Sequence, residues 1–125
     1  MPKRTGPVLI VDDDEAVRLS LKFALELEGL DVRLYEDGAD LLRDVKLPRT
    51  GCLVVDYWMP DITGFQLVDQ LRGRHIDLPA ILITGRPSTD LKRRAVAAGF
   101  QRVVEKPFED CSLLEGIQQA LAASA

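Results

Sequence analysis

The residues of this protein that are best suited to chemistry stand directly after short apolar runs. VLIV is followed by an acidic pair, CLVV by a single aspartate, ILI by a threonine and a glycine, and VVE by a lysine. In chain order these residues are Asp12 and Asp13, Asp56, Thr84 and Gly85, and Lys106. Carboxylates, a hydroxyl and an amine are groups that can hold a cation and an anionic substrate side by side.

Three carboxylates gathered at one place favour a bound cation. Like charges raise one another's pKa, and a hard divalent ion with oxygen ligands removes this conflict. Mg²⁺ keeps several waters, so one or two direct carboxylates suffice. Lys106 would add a point positive charge, Thr84 a hydroxyl and Gly85 an unobstructed N–H. This combination suits a carboxylate nucleophile that attacks phosphorus while a metal and a lysine neutralise the transferred oxygens.

These residues can act together only if the fold brings the ends of the apolar runs to one place. Strands are predicted at 8–11, 31–35, 52–55, 79–84 and 101–105. Helices are predicted from the acidic turn at 13–15, where Asp14 is expected to be a helix cap, to about 28, and near 38–45, 65–72, 88–98 and 110–122. Five βα units predict one α/β domain over residues 1–125, with a parallel sheet, right-handed crossovers and helices on both faces. Ligands of such sheets bind outside the carboxyl ends of the strands.

The bulk composition favours one small cytoplasmic domain. The 125 residues are enough for a single core. The net charge is −4, and no dense basic run indicates nucleic-acid binding within this domain. No apolar stretch approaches the roughly 20 residues of a membrane span, and the first apolar run is too short for a signal peptide. Cys52 and Cys111 lie among apolar neighbours and are expected to be buried free thiols in a reducing, cytoplasmic setting.

Four segments carry a family resemblance over essentially the whole chain. VLIVDDDEAVR, LVVDYWMPDITG, ILITG and VVEKPF together resemble the receiver domain of two-component response regulators. The ITG and EKPFED segments are most similar to receivers of the nitrogen-fixation regulator type. The resemblance implies a flavodoxin-like receiver fold, (βα)5, with a doubly wound five-stranded parallel sheet in the order 2-1-3-4-5.

The resemblance also implies a metal-dependent phosphoacceptor. Asp56 would accept the phosphoryl group. Asp13 and Asp56 would bind Mg²⁺ (or Mn²⁺) directly, Asp12 would act through water, and the backbone carbonyl of Trp58 would be a further ligand.

The phosphoryl group itself would contact the ends of the last two strands. By resemblance, Thr84, Gly85 and Lys106 form this phosphoryl-binding switch. The Lys106–Pro107 peptide bond is expected to be cis, an uncommon conformation even before proline.

Partners follow from the same resemblance. The donor would be a sensor histidine kinase, a histidine phosphotransfer protein or a small-molecule phosphodonor. The output would be altered partner binding, or homodimerisation through the surface of the fourth helix, fifth strand and last helix. Exposed residues expected on that surface are Arg93, Arg94, Arg102, Gln118 and Gln119. Such a switch is not an enzyme beyond slow self-dephosphorylation.

Two features depart from the receiver pattern. Receivers usually carry Tyr or Phe three residues before the lysine, and here that residue is Val103. Phe100 is close in sequence, but its odd offset on a strand predicts that it points to the opposite face. Trp58 and Arg86 flank the phosphorylation site, and the bulk of the tryptophan predicts slow loss of the phosphoryl group.

Two alternative functions stay open. A phosphatase of the haloacid dehalogenase type would also use a strand-end aspartate and Mg²⁺, but it needs an acid where this chain has Trp58, and a cap insertion for which there is no length. A receiver that acts only as an interaction domain, without phosphorylation, is opposed by the complete acidic site with Thr84 and Lys106. The missing aromatic residue favours it.

Overall fold

The computed structural model describes residues 6–106 and 112–123, which form five parallel strands and five helices. The strands are β1 (Val8–Val11), β2 (Val32–Tyr35), β3 (Cys52–Asp56), β4 (Ala80–Thr84) and β5 (Phe100–Glu105). The helices are α1 (Glu15–Leu27), α2 (Gly38–Arg43), α3 (Gly64–Gly73), α4 (Thr89–Ala97) and α5 (Ser112–Ala123). The sheet order is β2-β1-β3-β4-β5, with every pair parallel. The predicted fold and strand order are confirmed.

The sheet divides the apolar core into two layers. Strands β1, β3 and β4 are buried along their whole length, which explains their continuous apolar runs, because a strand covered on both faces has no solvent side. The layer under α2, α3 and α4 includes Leu9, Val55, Leu82, Leu41, Leu67 and Leu91. The layer under α1 and α5 includes Ile10, Ile83, Leu21, Leu25, Ile117 and Leu121. No helix in the described ranges is long and apolar enough to cross a membrane.

Polar side chains start the helices that follow the strand ends. Asp14 is the N-cap of α1, where its carboxylate accepts a hydrogen bond from Ala16 N at 2.9 Å, and this confirms the predicted cap. Thr63 and Gln66 form a capping box at the start of α3, and Ser88 caps α4. Each cap satisfies backbone N–H groups that the first turn leaves free. The caps therefore fix where the loops above the sheet end.

Helix α2 is shorter than the predicted 38–45. It ends at Arg43, and Asp44 has extended backbone. The Asp44 carboxylate accepts hydrogen bonds from Tyr35 Oη at 2.6 Å and from Lys46 N at 2.8 Å. These side-chain hydrogen bonds compete with another helical turn and hold the chain out of the helix.

The orientation predicted for Phe100 is wrong. Ala80 pairs with Phe100, but Ile81 pairs with Arg102, so Gln101 is an extra residue in β5. A bulge of this kind shifts the alternation of side chains by one. Phe100 and Val103 consequently pack into the same core layer, on the side of α3 and α4.

The two cysteines differ in what the structure describes. Cys52 is fully buried and free, as predicted, and burial raises the pKa of its thiol to about 12. Cys111 lies outside the described residues.

Candidate functional site

Three aspartates meet above the carboxyl ends of β1 and β3. One carboxylate oxygen from each of Asp12, Asp13 and Asp56 lies within 4.8 Å of the other two. Asp12 is completely buried, Asp56 is 6% exposed and Asp13 is exposed. Because β1 and β3 are neighbours in the sheet, the first and third apolar runs necessarily deliver their terminal acids to one place.

Lys106 reaches into this acidic cluster from the end of β5. Its Nζ lies 2.8 Å from Asp12 Oδ2 and 3.5 Å from Asp56 Oδ2. Its backbone N–H donates to the carbonyl of Thr84 at 2.8 Å, which extends the pairing of β4 and β5 past the last strand residue. Burial lowers the pKa of Lys106, but the hydrogen bond to Asp12 and the charges of both acids raise it on balance. The ammonium group therefore stays charged.

The charge of Asp56 is incompletely compensated. Burial is the largest cause that raises its pKa, followed by the charge of Asp12, and Lys106 opposes both. The outcome is a pKa of about 6. Such an environment disfavours the ionised carboxylate and favours any additional positive charge at the site.

The donor set fits a hard divalent cation. Three carboxylates face one ammonium group, an excess of two negative charges that one divalent ion would neutralise. All the candidate side-chain donors are oxygens, which is the ligand type that Mg²⁺ and Mn²⁺ accept.

The end of β4 forms the other wall of the site. Thr84 is 1% exposed, and its hydroxyl accepts a hydrogen bond from Arg86 N at 3.2 Å. Apart from its two chain neighbours, no atom of residues 6–106 and 112–123 lies within 4 Å of the position that a Cβ on Gly85 would take, so the backbone here borders open space. An open cavity of ≈ 710 Å³ lies over this region, lined by Asp12, Asp13, Asp14, Asp56, Trp58, Thr84, Gly85, Arg86 and Lys106.

The structure thus brings the sequence-predicted side chains to one cavity. Trp58, which was expected to contribute its carbonyl, lines the cavity and is 65% exposed. Arg86, expected to flank the site, also lines it. Pro107 and the predicted cis bond lie outside the described residues.

Arg18 supports the site and was missed in the sequence. It is 8% exposed, and its Nη1 donates to the carbonyl of Asp12 at 2.7 Å. Its Nη2 lies 4.0 Å from Glu36 Oε1. The available signal was its spacing, because Arg18 precedes Leu21 by three residues and Leu25 by seven, which places it on the buried face of α1.

A second missed residue, Asp61, ties the loop after β3 to α2. Its carboxylate accepts hydrogen bonds from Ala39 N at 2.7 Å and Gly38 N at 3.4 Å. The next residue, Ile62, packs closely against Gly38, because a Cβ on Gly38 would lie 2.6 Å from the Ile62 side chain. The loop that follows Asp56 is therefore anchored at both its strand end and its far side.

Comparison with known proteins agrees with this fold. The family model for the response regulator receiver domain matches residues 8–118. The transcriptional regulatory protein FixJ of Rhizobium meliloti (strain 1021) is 39% identical over 113 residues, which are 90% of this chain and 55% of FixJ. The chain belongs to the family of receiver domains of two-component response regulators.

Two solved structures illustrate the likeness. The crystal structure of FixJ-N superimposes with a TM-score of 0.85 at 37% identity and covers 98% of this chain and 96% of that one. The response regulator TrrA from Thermotoga maritima, solved in complex with Mg²⁺-BeF, gives a TM-score of 0.79 at 25% identity, with 92% and 98% covered. The chain spans a little over half the length of the FixJ protein that it matches.

Proposed function

We propose that Asp56 accepts a phosphoryl group with the help of Mg²⁺ (or Mn²⁺), and that this modification changes what the domain binds. One observation carries the proposal. The Asp56 carboxylate stands in a cavity beside two other carboxylates, with Lys106 Nζ only 3.5 Å away. In the transfer, a carboxylate oxygen of Asp56 forms the bond to phosphorus while the bond from phosphorus to the donor breaks and its electron pair leaves with the donor.

The roles proposed for the surrounding groups are those that the receiver resemblance implies, and their common place around one cavity supports them. Asp13, Asp56 and the carbonyl of Trp58 would hold the cation, with Asp12 acting through water, and the cation would supply positive charge to the transferred oxygens. Lys106 is already directed at Asp56 and would pair with one of those oxygens. The Thr84 hydroxyl and the Gly85 N–H would bind others, since Gly85 borders open space.

The proposed donor is a sensor histidine kinase or a histidine phosphotransfer protein, and a small acyl phosphate would serve in vitro. We place this exchange in the cytoplasm, where a buried free thiol such as Cys52 is stable. We further propose that residues 1–125 act as one receiver domain that contacts proteins rather than nucleic acid or membrane.

The proposed output surface is formed by α4, β5 and α5. Val96 is 71% exposed there. Arg102 bridges β5 to α5, because Nη1 donates to the carbonyl of Ser112 at 3.0 Å and Nη2 to Gln119 Oε1 at 3.1 Å. An exposed apolar side chain and a hydrogen-bonded arginine on one face suit a protein contact, and we propose a homodimer on this face.

Self-dephosphorylation is proposed to be slow. Trp58 and Arg86 line the same cavity as Asp56 and would limit the approach of water to phosphorus. The phosphatase alternative lacks its second acid, since Trp58 stands at that position.

The direct test is intact-mass spectrometry after incubation with acetyl phosphate and Mg²⁺. Wild-type protein is expected to gain one phosphate, and D56N none. Asp69→Asn, at an exposed position on α3, is the matched control and should gain phosphate like the wild type. Unmodified wild type, or equal labelling of D56N, would contradict the proposal. A half-life of seconds for the phosphorylated protein would contradict slow self-dephosphorylation.

A further inference from the structure

A row of aromatic rings leads away from the phosphoacceptor. Tyr57, the residue after Asp56, lies with its ring centroid 4.8 Å from that of Trp58 and 5.1 Å from that of Phe65. Phe65 lies in turn 5.7 Å from Phe100. We call these four rings the aromatic row. It runs without a gap from the loop after β3, through α3, to β5.

The aromatic row also contacts α4. The guanidinium carbon of Arg94 lies 5.1 Å from the centroid of the Phe65 ring, the geometry of a cation–π interaction. Phe65 is therefore the branch point, because it contacts the phosphoacceptor loop through Tyr57, β5 through Phe100 and α4 through Arg94.

The bulge in β5 makes this arrangement possible. Without the extra residue Gln101, Phe100 would point into the opposite core layer. With it, Phe100 lies in the same layer as Val103, and Phe65 packs against that layer. The smaller Val103 and the two phenylalanines therefore share one region beside α4.

The near end of the row is fixed to the strand that carries Thr84. Tyr57 N donates to the carbonyl of Ile83 at 3.0 Å, and the carbonyl of Tyr57 accepts from Gly64 N at 3.1 Å. A change at Asp56 thus reaches Tyr57 through one peptide bond, and Tyr57 is bonded both to β4 and to the start of α3. Closely packed rings cannot shift independently, so displacement of one is passed to the next.

We propose that Phe65, and not a side chain at position 103, couples the state of Asp56 to α4. This inference rests on the proposed function of Asp56 and names how that site reports its state. The position of α4 depends on the Phe65 ring through Arg94, and the position of the ring depends on Tyr57. Coupling of this kind is established only by measuring both ends.

The experiment uses beryllofluoride with Mg²⁺ as a noncovalent phosphoryl mimic. Fluorescence of Trp58, the one tryptophan of the chain, reports binding in the cavity that it lines. Hydrogen exchange of the α4 amides reports the distant response. The variant is Phe65→Leu, and its matched control is Phe23→Leu, which makes the same change at a side chain that is 69% exposed on α1.

Wild type and F23L are expected to change α4 exchange at least threefold on binding. F65L should bind beryllofluoride within threefold of the wild-type affinity but lose more than half of the α4 response. Arg94→Gln changes an exposed side chain and leaves the core intact, and it should also weaken the α4 response. This variant replaces F65L in the test if F65L folds poorly. Adding Val103→Phe to F65L should restore the response by placing a ring in the same layer.

The possible outcomes distinguish failure of the coupling role of Phe65 from failure of the proposed phosphorylation of Asp56. If wild type neither binds beryllofluoride nor gains phosphate, the proposed function of Asp56 fails and the coupling fails with it. If wild type does both, but F65L and R94Q keep the full α4 response, or wild type shows no α4 response, only the coupling role of Phe65 is overturned.

Discussion

At the scale of single residues, Asp56 is a carboxylate whose surroundings penalise its charge. It is 6% exposed and beside Asp12, and its pKa lies at about 6 in spite of Lys106. A reactive carboxylate must be ionised, and Lys106 alone only partly offsets the burial and the neighbouring acids that oppose this. A bound cation would supply further positive charge and would also favour the ionised, nucleophilic form.

Replacing Asp56 by Asn should stabilise the protein at neutral pH in the absence of divalent cations. Because the folded pKa is raised above its ordinary 3.8 to about 6, the folded state binds this proton more tightly than the unfolded state. Ionisation of Asp56 therefore removes stability as the pH rises through that window. D56N has no carboxyl group to ionise at this position. Its free energy of unfolding, measured in urea with EDTA at pH 7.5, should therefore exceed that of wild type by about 2–3 kcal/mol.

The pH dependence of the free energy of unfolding distinguishes removal of the Asp56 charge from a pH-independent stabilisation by the substitution. The advantage of D56N in free energy of unfolding should largely disappear near pH 4, where Asp56 is protonated in the folded state. Asp69→Asn, on the surface of α3, should show little difference at either pH. An advantage of D56N that is equal at both pH values would contradict the assigned cause.

Arg18 is expected to act on the metal site through Asp12. Arg18→Met keeps much of the apolar stem but removes the hydrogen bond to the Asp12 carbonyl. Loss of this support should lower Mg²⁺ affinity about tenfold, measured by titration of Trp58 fluorescence, and cost about 1–3 kcal/mol of stability.

The control for Arg18 is an arginine on the surface. Arg43→Met removes a side chain that is 71% exposed and whose ion pair with Asp40 spans 3.6 Å, so both quantities should stay near wild type. Unchanged Mg²⁺ affinity in a destabilised R18M protein would show that Arg18 has a structural role alone.

At the scale of elements, the start of α3 sets the shape of the loop after Asp56. There is little space for a side chain at Gly64, because a Cβ there would lie 3.0 Å from Leu82 Cδ1 and 3.1 Å from the carbonyl of Asp56. Its N–H donates to Tyr57, which closes the loop. The glycine therefore lets α3 approach the sheet beside Asp56.

Gly64→Ala is predicted to destabilise the protein by about 1–3 kcal/mol, because the new methyl group must displace backbone as well as a side chain. Gly73→Ala is the matched control at the other end of α3. A Cβ there meets nothing within 4 Å in the described part of the chain beyond its chain neighbours and its own helix, so the effect should be neutral or stabilising by up to about 1 kcal/mol. Urea unfolding measures both. Equal effects of the two changes would contradict the crowding at Gly64.

The elements that carry the site could be predicted because their patterns are unambiguous. Strands buried on both faces are continuously apolar, so the polar residue that ends each run marks the sheet edge. The end of α2 could not be predicted, because it depends on the hydrogen bond from Tyr35 to Asp44, between residues of different elements. Arg18 was missed because a charged residue in a helical pattern is ordinarily solvent-exposed.

The bulge at Gln101 was the most consequential feature that the sequence concealed. Nothing in FQRVVE breaks the strand pattern, and the extra residue becomes evident only in the pairing of β4 with β5. Strict alternation placed Phe100 on the wrong face. In the observed register, the Phe100 ring packs in the same core layer as Val103, the position where receivers usually carry Tyr or Phe. The absence of an aromatic residue at position 103 therefore no longer favours a receiver without phosphorylation.

At the scale of the whole molecule, the acidic cavity and the α4–β5–α5 surface are linked through β4, β5 and the aromatic row. In the proposed function, phosphorylation changes the charge at one end of the sheet, and the fold converts this change into altered binding elsewhere. A modest population shift suffices, since a few kcal/mol of differential binding moves such an equilibrium.

The proposed dimer makes a prediction at this scale. Beryllofluoride and Mg²⁺ should increase the dimer fraction of wild type at least fivefold in light scattering coupled to size exclusion. Val96→Glu should abolish the increase by placing a charge on an apolar contact. Val45→Glu changes an even more exposed valine, at 93%, outside α4 and should dimerise like the wild type. Equal dimerisation of V96E would exclude this surface.

The central claim is that one particular carboxylate carries the phosphoryl group. The most direct measurement is to treat the protein with acetyl phosphate and Mg²⁺, reduce any acyl phosphate with borohydride, and sequence the peptides by mass spectrometry. Reduction converts a phosphorylated aspartate to homoserine. We predict homoserine at Asp56 alone, dependent on Mg²⁺ and absent without acetyl phosphate. Homoserine at Asp12 or Asp13 instead, or unmodified Asp56, would contradict the account.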